Sequence, residues 1–351
     1  MVIQKDKKKS HVLFFLICLA AAFVITIIIN QQSALVKEIS IPLNNGIAKL
    51  STNGNMLAAF SLDNKAYIFD WADLSKKYQT FDIKSDQTVL LKNGNVVTVP
   101  KYNSRSIFLI RAVGDTKDIS INGEDKKAFL SSAQNRDEPV LTLAQSRAGE
   151  PNQTTLTFYL IDPNKDSAQM LFTTELQINI NQRLSIALSE DGQLIGLCGG
   201  RNGRCWIALC DLKEKKVAWE KELPEPALFF NCVFSPDSKM IFARGSDRAV
   251  YKFETVSGRP EGSLIPTKEN RSTLKDQNVQ LTQISSDGKV IGSVVSGQVI
   301  VWNNQTGKKI FTKAPGHKLI GGIAFSPDSK FLATADMRQG GKIKIWKLPK
   351  H

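Results

Sequence analysis

An all-β fold built from one repeated four-stranded unit, preceded by a single membrane-spanning helix, is what this sequence predicts. Three observations predict it. The phrase FSPDSKFLATADMRQGGKIKIW, Phe325 to Trp346, has a near copy in FSPDSKMIFARGSDRAVYKF, Phe234 to Phe253. Weaker copies recur along the chain at intervals of 40 to 56 residues. One uncharged run, VLFFLICLAAAFVITIII, stands near the amino terminus.

Residues 1–11 form a short basic tail in which Lys5, Lys7, Lys8 and Lys9 cluster. Val12 to Ile29 then offers 18 residues without a charge. At ~1.5 Å per residue such a helix reaches roughly 27 Å, close to the hydrocarbon thickness of a bilayer. Residues 12–30 are therefore expected to be a transmembrane signal-anchor helix. Ala20-Ala21-Ala22 could satisfy a signal-peptidase site, but the apolar run continues through Phe23 to Ile29, where a cleaved leader turns polar. Lys37 alone follows the span within fifteen residues, so the positive-inside rule keeps the amino terminus cytoplasmic and exports residues 31–351.

In the exported part, each unit reads as a strand, a tight polar turn, a second strand, a loop and a third strand, which is an antiparallel meander. Besides the two phrases above, the pattern stands at Leu50–Trp71, Leu90–Ile110, Phe129–Asp162, Leu188–Asp211 and Ile284–Trp302. Its turn markers are Asn53, Asn93, Asn135, Asp191, Asp237, Asp287 and Asp328. Seven units of this period match the four-stranded blades of a β-propeller, with six or eight blades still open at this level. The chain stops at the third strand of its last unit, whereas ALVKEISIPL, Ala34 to Leu43, has no unit of its own. Residues 34–43 are expected to supply the missing outer strand and close the ring, which removes a free sheet edge.

Little in the composition points to catalysis. The chain has three histidines, His11, His317 and His351, too few for a zinc site or a triad built on several of them. Its net charge of +13 favours anionic partners. No Lys/Arg run beyond the first ten residues is interleaved with aromatics, which argues against nucleic acid. GGRNGR, 199–204, lacks the Lys-Ser/Thr of a phosphate loop and reads as a hairpin turn. DPNKD, 162–166, lacks the Gly and Glu of a calcium loop and reads as a type I turn. Cys198 and Cys205 flank the GGRNGR hairpin and would suit a disulfide if they face each other; Cys210 and Cys232 leave other pairings open, as do buried free thiols.

The last unit, GHKLIGGIAFSPDSKFLATADMRQGGKIKIW from Gly316 to Trp346, resembles a WD repeat, with Gly316-His317 at the GH position and Trp346 at the W; Lys347 replaces the usual Asp. The resemblance implies a structural hydrogen-bonded network of His317, Thr334, Asp336 and Trp346. It also implies a rigid, non-catalytic platform that binds other proteins through its top face and loops, with no cofactor and no metal. Two alternatives stand beside that reading: a hydrolase or oxidoreductase working in the central channel, and a binder of an anionic envelope polymer or lipid.

Overall fold

Alternating side chains make the strands, and short polar turns end them. The computed structural model describes residues 35–43, 45–83, 87–100, 106–110, 115–121, 127–133, 136–147, 150–179, 184–224, 228–264, 281–338 and 340–350. The expected membrane helix, 12–30, lies outside these residues. Among the described residues no helix is long and apolar enough to cross a membrane.

The strands are β1 (Leu35–Ser40) and then seven sets. Blade 1 is β2 (Ile47–Asn53), β3 (Met56–Ser61), β4 (Lys65–Asp70) and β5 (Gln79–Asp82). Blade 2 is β6 (Thr88–Leu90), β7 (Val96–Thr98), β8 (Ser106–Ile110) and β9 (Thr116–Ser120). Blade 3 is β10 (Lys127–Ser131), β11 (Val140–Arg147), β12 (Glu150–Asp162) and β13 (Ser167–Leu176). Blade 4 is β14 (Leu184–Leu188), β15 (Leu194–Arg201), β16 (Arg204–Asp211) and β17 (Lys216–Leu223). Blade 5 is β18 (Phe229–Phe234), β19 (Met240–Gly245), β20 (Val250–Glu254) and β21 (Pro260–Leu264). Blade 6 is β22 (Thr282–Ile284), β23 (Val290–Val295), β24 (Gln298–Asn303) and β25 (Lys309–Lys313). Blade 7 is β26 (Ile320–Phe325), β27 (Phe331–Asp336) and β28 (Lys342–Lys347), with β1 as its fourth and outer strand.

Every blade is an antiparallel four-stranded sheet, and the fold is a seven-bladed β-propeller. Sheets buried on both faces need apolar residues at successive positions, and alternation then sends them to opposite neighbours. In β3, Leu57 and Ala59 pack toward blade 7, whereas Ala58 and Phe60 pack toward blade 2. In β16, Trp206, Ala208 and Cys210 face blade 3, and Ile207 and Leu209 face blade 5. The result is seven apolar clusters, one at each blade interface.

Blade 7 meets blade 1 more closely than side chains allow. A methyl group on Gly321 would stand 1.9 Å from the Ile47 carbonyl oxygen, and one on Gly322 would stand 2.4 Å from the Leu50 nitrogen. Across the same seam, a methyl on Gly46 would lie 2.1 Å from the Met337 carbonyl. On the outer side β1 runs antiparallel to β28, with Glu38 opposite Lys344 and Ile39 opposite Ile343. Glu38 also forms ion pairs with Lys342 at 3.3 Å and Lys344 at 3.7 Å.

Candidate functional site

The strand directions give the ring two faces. One, here the turn face, carries the first turn of each blade; the other, the linker face, carries the connections between blades. The Leu35 end of β1 lies beside Trp346 and so at the turn face.

On the turn face the serine and aspartate side chains that open the first turns of blades 4 to 7 are occupied in folding. Blades 4 to 7 begin their turns with Ser189, Ser235, Ser285 and Ser326, each two residues before an aspartate. Each serine hydroxyl donates to that aspartate, Asp191, Asp237, Asp287 or Asp328, at 2.5–2.7 Å. It also accepts the N–H of the residue five positions on, at 2.9–3.1 Å. The fourth turn residue has a left-handed backbone: Gly192, Ser238, Gly288 and Ser329. Where that residue is serine, its hydroxyl receives an N–H from the preceding blade, Asp191 to Ser238 and Asp287 to Ser329, both at 3.4 Å. The Ser235 hydroxyl holds the Asp237 carboxyl below its ordinary pKa. For Asp328 burial pushes the pKa up, but hydrogen bonds from Ser326 and Lys330 outweigh it and the net shift is downward.

The central channel is narrow. A cavity of about 210 Å³ touches the first strand of every blade, and Lys49 and Glu190 are its charged lining residues among serines, Thr52, Gln283 and apolar side chains. The Lys49 ammonium donates to the Thr88 carbonyl at 2.9 Å and lies 5.6 Å from the centre of the Phe60 ring. Toward the linker face the channel opens into a bowl of about 760 Å³, with Phe129, Phe230, Leu184 and Leu281 on its wall. Sequence reasoning named no channel residue, because the pitch of each inner strand relative to the axis is a property of the closed ring.

In the last blade the structure brings His317, Thr334, Asp336 and Trp346 together. The Trp346 indole N–H donates to the Thr334 hydroxyl at 3.0 Å, and that hydroxyl lies 2.9 Å from His317 Nε2. His317 Nδ1 lies 3.6 Å from Asp336, whose carboxylate accepts the N–H groups of Lys318 at 3.0 Å and Arg338 at 2.8 Å. Burial lowers the His317 pKa against the raising effect of Asp336. A neutral imidazole with Nδ1–H toward Asp336 and Nε2 accepting from Thr334 fits every distance.

Two predictions follow from this chain of bonds. Thr334→Val leaves a buried indole N–H and a buried imidazole nitrogen unpaired, and is expected to cost about 2–4 kcal/mol in denaturant unfolding, whereas Thr334→Ser costs about 1 kcal/mol. The second concerns pH. His317 binds a proton less readily folded than unfolded, so its contribution to stability is complete above the unfolded value of 6.5 and is lost as pH falls below it. Asp237 and Asp328 add a second loss, which begins as pH falls through the unfolded carboxylate value of 3.8. His317→Gln is expected to abolish the first phase and leave the second.

The cysteines depart from the hairpin pairing. Cys198, Cys205, Cys210 and Cys232 are free, buried thiols. Cys198 stands opposite Ile207 and Cys205 opposite Gly200, so the two are diagonal rather than facing. Diagonal neighbours are ~7–8 Å apart, beyond disulfide reach. The GGRNGR segment is a two-residue hairpin turn through Asn202 and Gly203, both with positive φ. Arg201 is held by Glu220 and Glu222 rather than offered to a phosphate. DPNKD closes on itself, with Asp162 accepting the N–H of Asn164 at 3.0 Å.

Residues 307–347 match the family model described as WD domain, G-beta repeat. Three fungal proteins, two named Protein HIR1 and one named Protein hir-1, are similar to the chain. That of Chaetomium globosum is 31% identical over 114 residues, 29% of this chain and 11% of its own length. That of Eremothecium gossypii is 25% identical over 178 residues, 43% of this chain and 21% of its own. That of Neurospora crassa is 25% identical over 170 residues, 43% of this chain and 16% of its own. The chain thus spans about a tenth to a fifth of the length of the curated relatives it matches. The WD-repeat match covers β25, the outer strand of blade 6, and β26–β28 of blade 7, and it includes the His317–Thr334–Trp346 chain.

Proposed function

We propose that the protein is a membrane-anchored, non-catalytic platform that binds other proteins through the linker face of its propeller, outside the cytoplasm. The observation that carries this reading is how the polar side chains are used. On the turn face they hold turns and blades together, and in the channel Lys49 is bonded to a backbone carbonyl of the next blade. Convergent acids, arginines or histidines are what a channel enzyme needs, and the channel cavity is lined by Lys49 and Glu190 as its charged groups. The WD-repeat match at 307–347 supports the platform role by analogy, since a fold does not name its partner.

The geometry of β1 supports one orientation for the platform. A helix spanning 12–30 leaves four residues, 31–34, before β1, a reach of at most ~14 Å. The Leu35 end of β1 lies at the turn face, so the anchor holds that face toward the membrane and the bowl points away.

Photo-crosslinking groups at two exposed positions test this reading in native membranes. Leu62 stands on the linker face and Val256 on the turn face. A discrete protein adduct from position 62 and none from 256 is the expected result. Absence of protein adducts from both positions would contradict it. Capture that falls steeply with moderate salt would reassign the surface to an anionic polymer or lipid. Proteolysis in sealed vesicles checks the orientation, the expected result being digestion from the extracytoplasmic side.

A further inference from the structure

We propose that Cys198 and Cys232 form a disulfide that staples blade 4 to blade 5. The two residues lie 34 positions apart, on β15 and β18, and share the apolar cluster between those blades. β15 and β18 pack directly on each other, and both cysteines lie in the layer between them. The Cys232 thiol also lies 3.7 Å from the carbonyl oxygen of Gly196, two residues before Cys198 on the same strand.

The other cysteines are placed elsewhere. Cys205 is diagonal to Cys198 and donates to the Leu223 carbonyl at 3.6 Å. Cys210 points to the opposite side of its sheet, into the cluster between blades 3 and 4.

Cys232 is on the wall of the central cavity and Cys198 lies behind it, with no exposed surface. That order fits a two-step exchange with an external disulfide, on a protein or on glutathione, as blade 5 docks on blade 4. The Cys232 thiolate attacks one sulfur of the external disulfide and expels the other as a thiolate. The Cys198 thiolate then attacks the Cys232 sulfur of the mixed disulfide and expels the second. Two electrons pass from the cysteine pair to the external disulfide, and the two protons released end on its two thiols.

The test is independent of compartment. The full chain, purified in detergent, is equilibrated with disulfide isomerase in glutathione buffers of graded oxidised-to-reduced ratio, alkylated and digested with trypsin. Cleavage after Arg201 and Arg204 separates Cys198 from Cys205, while Cys205 and Cys210 remain on one peptide. The expected product joins the Cys198 peptide to the Cys232 peptide, with Cys205 and Cys210 alkylated. Cys205→Ser retains that product, and Cys198→Ser and Cys232→Ser each lose it. The oxidised chain is expected to show an unfolding equilibrium constant lower by roughly several hundredfold, as loop closure predicts. A Cys198–Cys205 link, or four alkylated thiols at the most oxidising ratio, would overturn the proposal.

Discussion

Gly321→Ala is expected to destabilise the propeller by at least about 3 kcal/mol, more than an ordinary overpacked core residue. The added methyl would stand 1.9 Å from the Ile47 carbonyl oxygen and 2.9 Å from the Met337 side chain. The first of these is backbone of the neighbouring blade, so relief requires moving blade 1 away from blade 7. Such a movement would loosen the whole cluster that includes Ile47, Leu57, Ala333 and Ile343. For a domain of this size the melting temperature is expected to fall by about 4 °C or more. Gly297→Ala is the control: its added methyl meets open space, and its positive φ alone costs about 1 kcal/mol. Equal melting of the two variants would contradict a tight seam between the ends of the ring.

Removal of β1 is expected to have a comparable or larger effect. Deleting residues through Ile41 removes the ladder to β28, the Glu38 ion pairs and the buried Ile41 side chain. Each backbone hydrogen bond contributes ~0.5–1.5 kcal/mol net, so the loss amounts to about 5 kcal/mol or more, a large part of a typical domain's stability. β28 would then be a bare edge, and edge strands template association. A chain starting at Leu35 is expected to melt like the full propeller, and one starting at Pro42 to melt far lower or to aggregate. Calorimetry or light scattering distinguishes the two. Matching melting curves for both chains would show that β1 does not close the ring.

The seven-fold repeat was legible because blade turns obey a local rule. A serine, an aspartate two residues on and a left-handed fourth residue complete their hydrogen bonds within five positions. Blades 1 to 3 were harder to read because they build the turn otherwise. Asn53 uses its amide to bridge to Leu90 at 2.9 Å and to Ala133 at 3.2 Å, in two other blades. In blade 2, Asn93 accepts the N–H of Asn95 at 3.0 Å and its own N–H reaches Asp137 of blade 3.

Features set by the meeting of distant segments left no local mark. Gly321 and Gly322 read as ordinary strand residues until the carbonyl of Ile47 and the nitrogen of Leu50 are placed against them. The cysteines show the same limit: seven positions apart on one hairpin, Cys198 and Cys205 invite pairing. The register sets them on a diagonal, and the packing of blade 5 on blade 4 brings Cys232 into the same cluster as Cys198. The channel lining was opaque for the same reason, since Lys49 and Glu190 become neighbours of one cavity only when all seven inner strands converge.

The central claim is a ring closed by β1, which couples the amino-terminal segment rigidly to the last blade. Carbodiimide treatment tests it on the unaltered chain, because the reagent joins a carboxylate to an amine only when the two are in contact. Glu38 lies 3.3 Å from Lys342 and 3.7 Å from Lys344. The predicted result is an intramolecular amide from Glu38 to Lys342 or Lys344, recovered from monomeric protein by mass spectrometry. Recovery of Glu38 unmodified, or joined to another chain, while another close pair, Asp162–Lys165 at 2.9 Å, does react, would contradict closure by β1.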